Sequence, residues 1–428
     1  MEKGRVDMLT HEENMFMARV GPGTPMGDMM RRFWHPVLLS EELPEPDCPP
    51  KRTKILGEEL IAFRDTNGDV GLVDNYCPHR RASLFFGRNE ECGLRCVYHG
   101  WKFDVNGDCI DMPSEPAESN FKDKVKITAY PTNEGAGMIW AYMGPKELQP
   151  GMPQLEYLDM PEGQFVSTKV MYESNFVQVI EGEIDTVHAS LLHSSLDSLS
   201  KSDTATTVGG KYSYRDRPPR FFVEDTDSGI LIGARRDAEE DSYYWRISRW
   251  LFPYITMIPR EPQGSARSGL IVPIDDENCW FFWVRWNPFG PLTQGEIDTY
   301  KLMQASLAPV TYLGQANKRN DYLIDREMQR TVNYTGIPQN NARAQDAAMT
   351  DSMGAISDRD NEHLGTTDMA IIRMRRRLIS AAQALQEGTE PYAASHPEVY
   401  KVRSGGAVLP RDVYFTEDPS VQEDIFVK

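Results

Sequence analysis

The sequence predicts an α+β protein: a small, mostly antiparallel β domain, then a larger domain of antiparallel sheet and helices. Three observations carry that prediction. Between about Trp34 and Pro145 the apolar runs are short and punctuated by Gly, Asn and Asp. Residues 205–290 are strand-rich and aromatic. Residues 173–195 and the chain after Leu292 have helical character. A β module followed by a sheet-plus-helix domain is the simplest arrangement that buries all these apolar faces.

In chain order, residues 13–33 carry spaced apolar positions interrupted by Gly21-Pro22-Gly23. Residues 1–33 are therefore expected to form a helical segment packing on the larger domain. Residues 34–147 form the β domain, with strands expected in KILGEELIAFRD, VGLVDNYC, GWKFDVNGDCI and GMIWAYMG. Residues 148–428 form the larger domain. Its expected strands include SYYWRISRWLFPYITMI and CWFFWVRWNPF, and Thr366-Thr367-Asp368 is a cap for the helix DMAIIRMRRRLISAAQAL.

With 428 residues, 40% hydrophobic and 26% charged, the chain has ample material for a core and is not a disordered or fibrous protein. Its formal net charge of −18 argues against nucleic acid and anionic membranes as partners. No uncharged apolar run approaches the roughly 20 residues that span a bilayer. The stretch Met1–Asn14 is polar and lacks the apolar core of a signal peptide, so a cytoplasmic location is expected. Six sparse cysteines then read as thiols or metal ligands, not as a disulfide framework.

The first constellation is Cys77-Pro-His79, followed after sixteen intervening residues by Cys96-Val-Tyr-His99. Two loops, each offering one thiolate and one imidazole, are what a Rieske [2Fe–2S] cluster needs: two Cys on one iron and two His on the other. A Cys₂His₂ zinc site uses the same residue types. Zinc fingers, however, pair their cysteines and then their histidines, and they close on a helix. Here each loop carries one of each and closes a strand hairpin.

The second constellation is Asp185-Thr-Val-His188-Ala-Ser-Leu-Leu-His193. On a helix Asp185 and His188 share a face. His193 lies about 140° further round an ideal helix, so the helix must distort or end before both imidazoles share a ligand. Two imidazoles and one carboxylate form the facial triad of non-haem Fe(II) oxygenases, which leaves positions open for O₂ chemistry. Glu181 and Glu183 are close enough to be mistaken for ligands and read as supporting or solvated residues. Gln178 and Asn175, upstream on the same helix, either face the same pocket or pack in the helix interior.

With both motifs in this order, and with GPGTPMGDMMRRFWHPVLLSEELP and QDAAMTDSMGAISDRDNEHLGTTD beside them, the chain resembles an aromatic-ring hydroxylating Rieske non-haem iron oxygenase. The resemblance is to the oxygenase (α) subunit, and to the phthalate 4,5-dioxygenase group in particular. It covers nearly the whole chain. It implies a Rieske domain plus a catalytic domain whose antiparallel sheet wraps a long helix (helix-grip, START-like), assembled as a homotrimer or as a hexamer of two trimers. It implies one [2Fe–2S] cluster and one mononuclear Fe²⁺ per subunit. His188 and His193 would be iron ligands, with Asp346 as the third by its family position and Asp351 as the fallback. Asp185 would bridge His188 to His99 of a neighbouring subunit and carry electrons across.

The implied activity is cis-dihydroxylation of an aromatic carboxylate of the phthalate or benzoate type, or else O-demethylation of a methoxybenzoate. The chain has no dinucleotide fingerprint and no second cysteine set, so the NAD(P)H-using flavin/iron–sulfur reductase must be a separate protein. An anionic substrate calls for guanidinium groups. Arg249 is a candidate because strand alternation puts it on one face with Tyr243, Trp245 and Ile247. Arg215, at the end of the strand expected in SYRDRPP, and Gln178 are weaker candidates. Arg235 and Arg236 are adjacent, so one of them is expected to point inward.

Overall fold

The structure, a computed structural model, describes residues 8–197, 208–216, 218–260, 264–338 and 342–427. The chain begins with two short helices. In α1 (His11–Ala18), Thr10 and Glu13 close a capping box. In α2 (Pro25–Met30), Thr24 caps and proline takes the first turn, where its missing N–H costs nothing. Met17, Met26, Met29 and Met30 are fully buried in the large domain's core.

The β domain contains three small antiparallel sheets. One is β1 (Trp34–Leu39), β11 (Met138–Tyr142) and β10 (Thr132–Gly135). The second orders β2 (Lys51–Ile55), β3 (Glu58–Arg64), β4 (Val70–Asp74) and β9 (Ala129–Tyr130). The third orders β5 (Arg88–Glu90), β6 (Gly93–Arg95), β7 (Lys102–Phe103) and β8 (Cys109–Asp111). Between the last two lies a separate core of Ile61, Phe63, Leu84, Leu94, Trp101 and Phe103, which also contains Cys77 and Cys96.

The larger domain is one antiparallel sheet of eight strands. Its order is β12 (Phe165–Tyr172), β18 (Cys279–Trp286), β17 (Ala266–Pro273), β16 (Ile255–Ile258), β15 (Ser242–Leu251), β14 (Gly229–Asp237) and β13 (Arg220–Thr226). The eighth, β19 (Gly405–Pro410), pairs with the first half of β15, where β16 does not reach. Helix α3 (Phe176–Ile184) lies on one face, packed against β16 and β17. The other face of β14 and β15 is covered by the C-terminal segment, through Phe415, Val421 and Ile425. Both faces are therefore buried.

Two expectations are corrected. The helix expected over 173–195 is shorter: it starts at the cap Asn175 and ends at Ile184. The Asp185 carboxylate takes the Val187 amide at 2.7 Å, a local bond that competes with helix continuation. Within the strand-rich stretch, Val208–Arg215 forms a helix, α4. Packing of Tyr212 against Ala238 and Tyr244 outweighs the strand pattern there.

Candidate metal centres and the guanidinium-lined sheet face

Cys77 follows β4 and Cys96 follows β6, and the two loops make the same turn. Arg81 N donates to Cys77 O, and Gly100 N donates to Cys96 O, each at 2.9 Å. Gly100 is required: its φ is +82°, and a Cβ would come within 2.5 Å of Pro113. Both thiols are buried, whereas the imidazoles of His79 and His99 are only half-buried. The sulfurs are adjacent: the hydrogen bond from Cys77 holds Cys96 down at about 6, and the same contact pushes Cys77 up. The imidazoles are adjacent too, with ring centroids 4.3 Å apart and His79 stacked on Trp101 at 4.4 Å.

The four side chains thus present a sulfur pair and a nitrogen pair. His79 Nδ1 is buried without a hydrogen-bond partner, as expected of a donor turned toward a metal. The ligands of one zinc ion would lie roughly 3–4 Å apart, given Zn–S of about 2.3 Å and Zn–N of about 2.0 Å. Among the described residues no three of these four donors come within 4.8 Å of one another. The donor set fits two irons better than one ion.

A second set does converge. His188, on the turn His188–Ser190 beyond α3, meets His193 and Asp346, which lies on α6 (Ala342–Ser352; helix Gln294–Ala305 is α5). One donor atom from each lies within 4.8 Å of the others. His193 Nε2 stands 3.1 Å and His188 Nε2 3.6 Å from Asp346 Oδ1. The opposite ring nitrogens face acceptors. His188 Nδ1 is 3.5 Å from Asp185 Oδ2, and His193 Nδ1 is 2.8 Å from Gln345 Oε1. Gln345 is itself held, because its Nε2 donates to Ile337 O and Thr335 Oγ1 at 3.0 and 3.2 Å. Burial works against the Asp185 charge, yet the nearby His188 imidazole and the Val187 amide hold its carboxyl below the usual range. Two imidazoles and a carboxylate gathered on one side suit Fe(II).

The remaining sequence candidates fall elsewhere. Asp351 is bonded to Tyr322 and lines a separate cavity of about 310 Å³ behind α6, so it is not in the triad. Gln178 is fully engaged, with Nε2 donating to Thr350 O and Gly354 O and Oε1 accepting from Ser357 N. It ties α3 to the end of α6 and leaves nothing for substrate. Arg249 is on the sheet face away from α3, where it donates to the carbonyls of Arg403 and Ile425. Its surroundings are the C-terminal segment, so it too is structural. Arg215 ends helix α4, not a strand, and its side chain lies outside the described residues.

The guanidinium groups that do face α3 belong to other positions. Register places Arg236 and Arg246 on the same side as Trp250, and carries that side through Thr256 and Gly269 to Arg267. Arg246 donates to Thr186 Oγ1, one residue after Asp185. Arg236 is buried, its Nε and Nη1 without partners. Arg343, on α6, is hydrogen-bonded to Thr168 at 3.1 Å and stacked near Trp283. Among them stands Glu183, whose carboxyl burial and the nearby Asp346 push up to about 8. Alternation along β15 identified two sets of side chains, but nothing local marked which set faces α3. Gln345 had no sequence signal of its own.

A family model described as the Rieske [2Fe-2S] domain matches residues 33–131. A second, described as LigXa C-terminal domain like, matches residues 141–423. The chain is 39% identical to the 3-chlorobenzoate-3,4-dioxygenase oxygenase subunit of Comamonas testosteroni, over 95% of this chain and 96% of that one. It is 38% identical to the phthalate 4,5-dioxygenase oxygenase subunit of Pseudomonas putida, over 95% and 94%. A 5,5'-dehydrodivanillate O-demethylase oxygenase subunit of Sphingobium is 31% identical over 90% and 83%. In fold, the chain is similar to dicamba monooxygenase bound to dicamba, with a TM-score of 0.57 at 20% identity over 84% and 99%. The chain belongs to the oxygenase (α) subunits of the Rieske non-haem iron aromatic-ring hydroxylating oxygenases, and within them resembles the phthalate 4,5-dioxygenase group.

Proposed function

We propose that this terminal oxygenase cis-dihydroxylates an aromatic carboxylate of the phthalate or substituted-benzoate type, fed by a separate NAD(P)H-dependent flavin/iron–sulfur reductase. Subunits of this family carry a Rieske cluster and a mononuclear iron. In this reading Cys77 and Cys96 hold one cluster iron, His79 and His99 the other, and His188, His193 and Asp346 the mononuclear iron. The convergence of that triad at the end of α3 is the observation that carries the proposal. When bound, the cluster supplies single electrons and the iron supplies activation of O₂ beside the substrate.

The protein's own part is positioning. Asp185 and Gln345 hold the Nδ1 sides of the two histidines, which keeps both Nε2 atoms inward. Arg246, set by Thr186, offers the fork that a carboxylate takes up. Phe281 and Trp283, on the same sheet face, supply the apolar wall that a ring needs to exclude water. Asp185 is the bridge to His99 of a neighbouring subunit in a trimer or pair of trimers. Partial exposure of both His99 and Asp185 supports that role. The described cysteines are all free, as a reducing cytoplasm would keep them. Among the described residues no helix is long and apolar enough to cross a membrane.

His188→Ala tests the reading. The variant is expected to lose one iron per chain and all turnover while keeping the visible spectrum of the cluster. Full iron and full turnover would defeat the assignment. Identity with the O-demethylase subunit favours a second reading, monooxygenation of a methoxybenzoate. Product analysis with labelled O₂ separates the two, since dihydroxylation puts two labelled atoms in one ring and demethylation does not.

A further inference from the structure

The face of the sheet turned toward α3 holds more positive charge than one carboxylate of a substrate would balance. Arg246 sits at one end, beside Thr186. The guanidinium of Arg267, on β17, has neither a hydrogen bond nor an ion pair among the described residues, although the residue is mostly buried and opposes Arg285 in the sheet. Its neighbour Arg285 is already committed to Glu296 at 2.6 Å. Arg343 approaches the same region from α6, with Tyr300 beneath it at 6.0 Å and Trp283 at 5.4 Å.

The negative groups nearby do not offset these cations. Asp346 belongs to the metal triad and Asp185 to His188. Glu183 accepts a hydrogen bond from Thr256 at 3.3 Å, and burial pushes its carboxyl up from the ordinary value. Burial lowers the guanidinium pKa of Arg246, Arg267 and Arg343. An uncompensated charge in such a place is costly unless a ligand completes it. Arg246 and Arg267 are also well separated. They sit two strands apart, and strands spaced about 4.8 Å put roughly 10 Å between their backbones.

We propose that Arg267, assisted by Arg343, forms a second oxyanion-binding end in the substrate site, so that preferred substrates carry carboxylate-type groups at well-separated ring positions. Arg246 receives one group and Arg267 the other, with the ring spanning β16 between them. The inference deepens the oxygenase reading of this site and rests on it for the word substrate, but the binding claim can be measured without turnover.

The oxidised holoenzyme is titrated calorimetrically with benzoate and with benzene-1,2-, 1,3- and 1,4-dicarboxylate, using wild type, Arg267→Leu and Arg267→Lys. Wild type is expected to bind the 1,3- or 1,4-isomer at least ten-fold more tightly than benzoate. Arg267→Leu is expected to abolish that preference while benzoate affinity stays within two-fold, and Arg267→Lys to keep part of it. Equal affinity for benzoate and the separated dicarboxylates in wild type overturns the proposal. So does tightest binding of the 1,2-isomer, which would put both carboxylates at the Arg246 end. Parallel loss of benzoate in both variants would mark Arg267 as structural, and no binding of any acid would also overturn the proposal. Failure of the oxygenase reading is a different result: the binding preference persists, yet no acid yields an oxygenated product when reductase and NAD(P)H are supplied.

Discussion

His193 is held at both ends, by Asp346 at Nε2 and by Gln345 at Nδ1. The direction of the Gln345 amide is dictated by Ile337 O and Thr335 Oγ1, so its oxygen must face the ring. Gln345→Leu is therefore expected to weaken iron binding by about 10–100-fold, the usual cost of losing a partner behind a metal ligand, without altering the cluster spectrum. Iron titration of the metal-depleted protein measures it. Asp185→Asn is expected to retain both metal sites while slowing single-turnover reduction across subunits, and unchanged reduction would remove Asp185 from the electron path. At this scale the sequence was uneven. Cys77, His79, Cys96 and His99 were legible because each pair lies within one short loop. Asp346 came only through family position, and Gln345 not at all, because its meaning depends on a turn at 333–337 that the fold brings alongside.

Helix α3 shows why side-chain patterns misplace element ends. The run from Glu173 to Ser195 reads as helix, yet Asp185 stops it with its own carboxylate, and this stop lets His188 and His193 turn to one side. The helix is also anchored one turn earlier. Glu181 accepts from Arg359 and Arg375, both almost fully buried, and these reach Asn14 and Glu362. Glu181→Ala leaves two buried cations with one partner fewer and is expected to cost about 3–5 kcal/mol, measurable by denaturant unfolding. Burial opposes ionisation of Glu181, but the two guanidiniums prevail and its pKa lies below the ordinary 4.5. Its stabilisation is therefore fully present above about pH 4.5 and lost as pH falls through the folded value. Glu181→Gln should flatten that part of the acid-unfolding curve. Sheet faces were the other partial success. Alternation grouped Arg249 with Tyr243, Trp245 and Ile247, but a strand buried on both sides gives no local sign of which side is the site.

At the scale of the molecule the Cys77/Cys96 loops sit on a small core of their own, whereas the main core runs continuously from β1, β2 and β11 into the large sheet and α3. If electrons cross between subunits, two different inactive chains should restore one another. A cluster-dead Cys96→Ser chain co-expressed with a His188→Ala chain is expected to give measurable turnover, although neither works alone. Silence from the mixed oligomers, with both chains folded and assembled, would require a path within one chain.

The contrast between a whole-chain net charge of −18 and an arginine-lined sheet face has a kinetic consequence. An aromatic acid approaching this protein is first repelled and only then captured, so its entry faces a long-range barrier in place of steering. Ionic strength should thin that barrier, since the screening length shrinks from about 30 Å at 0.01 M salt to about 8 Å at 0.15 M. Modest salt should accordingly raise kcat/KM for the anionic acid, the reverse of a steered enzyme, while a neutral ester of the same acid stays indifferent to it.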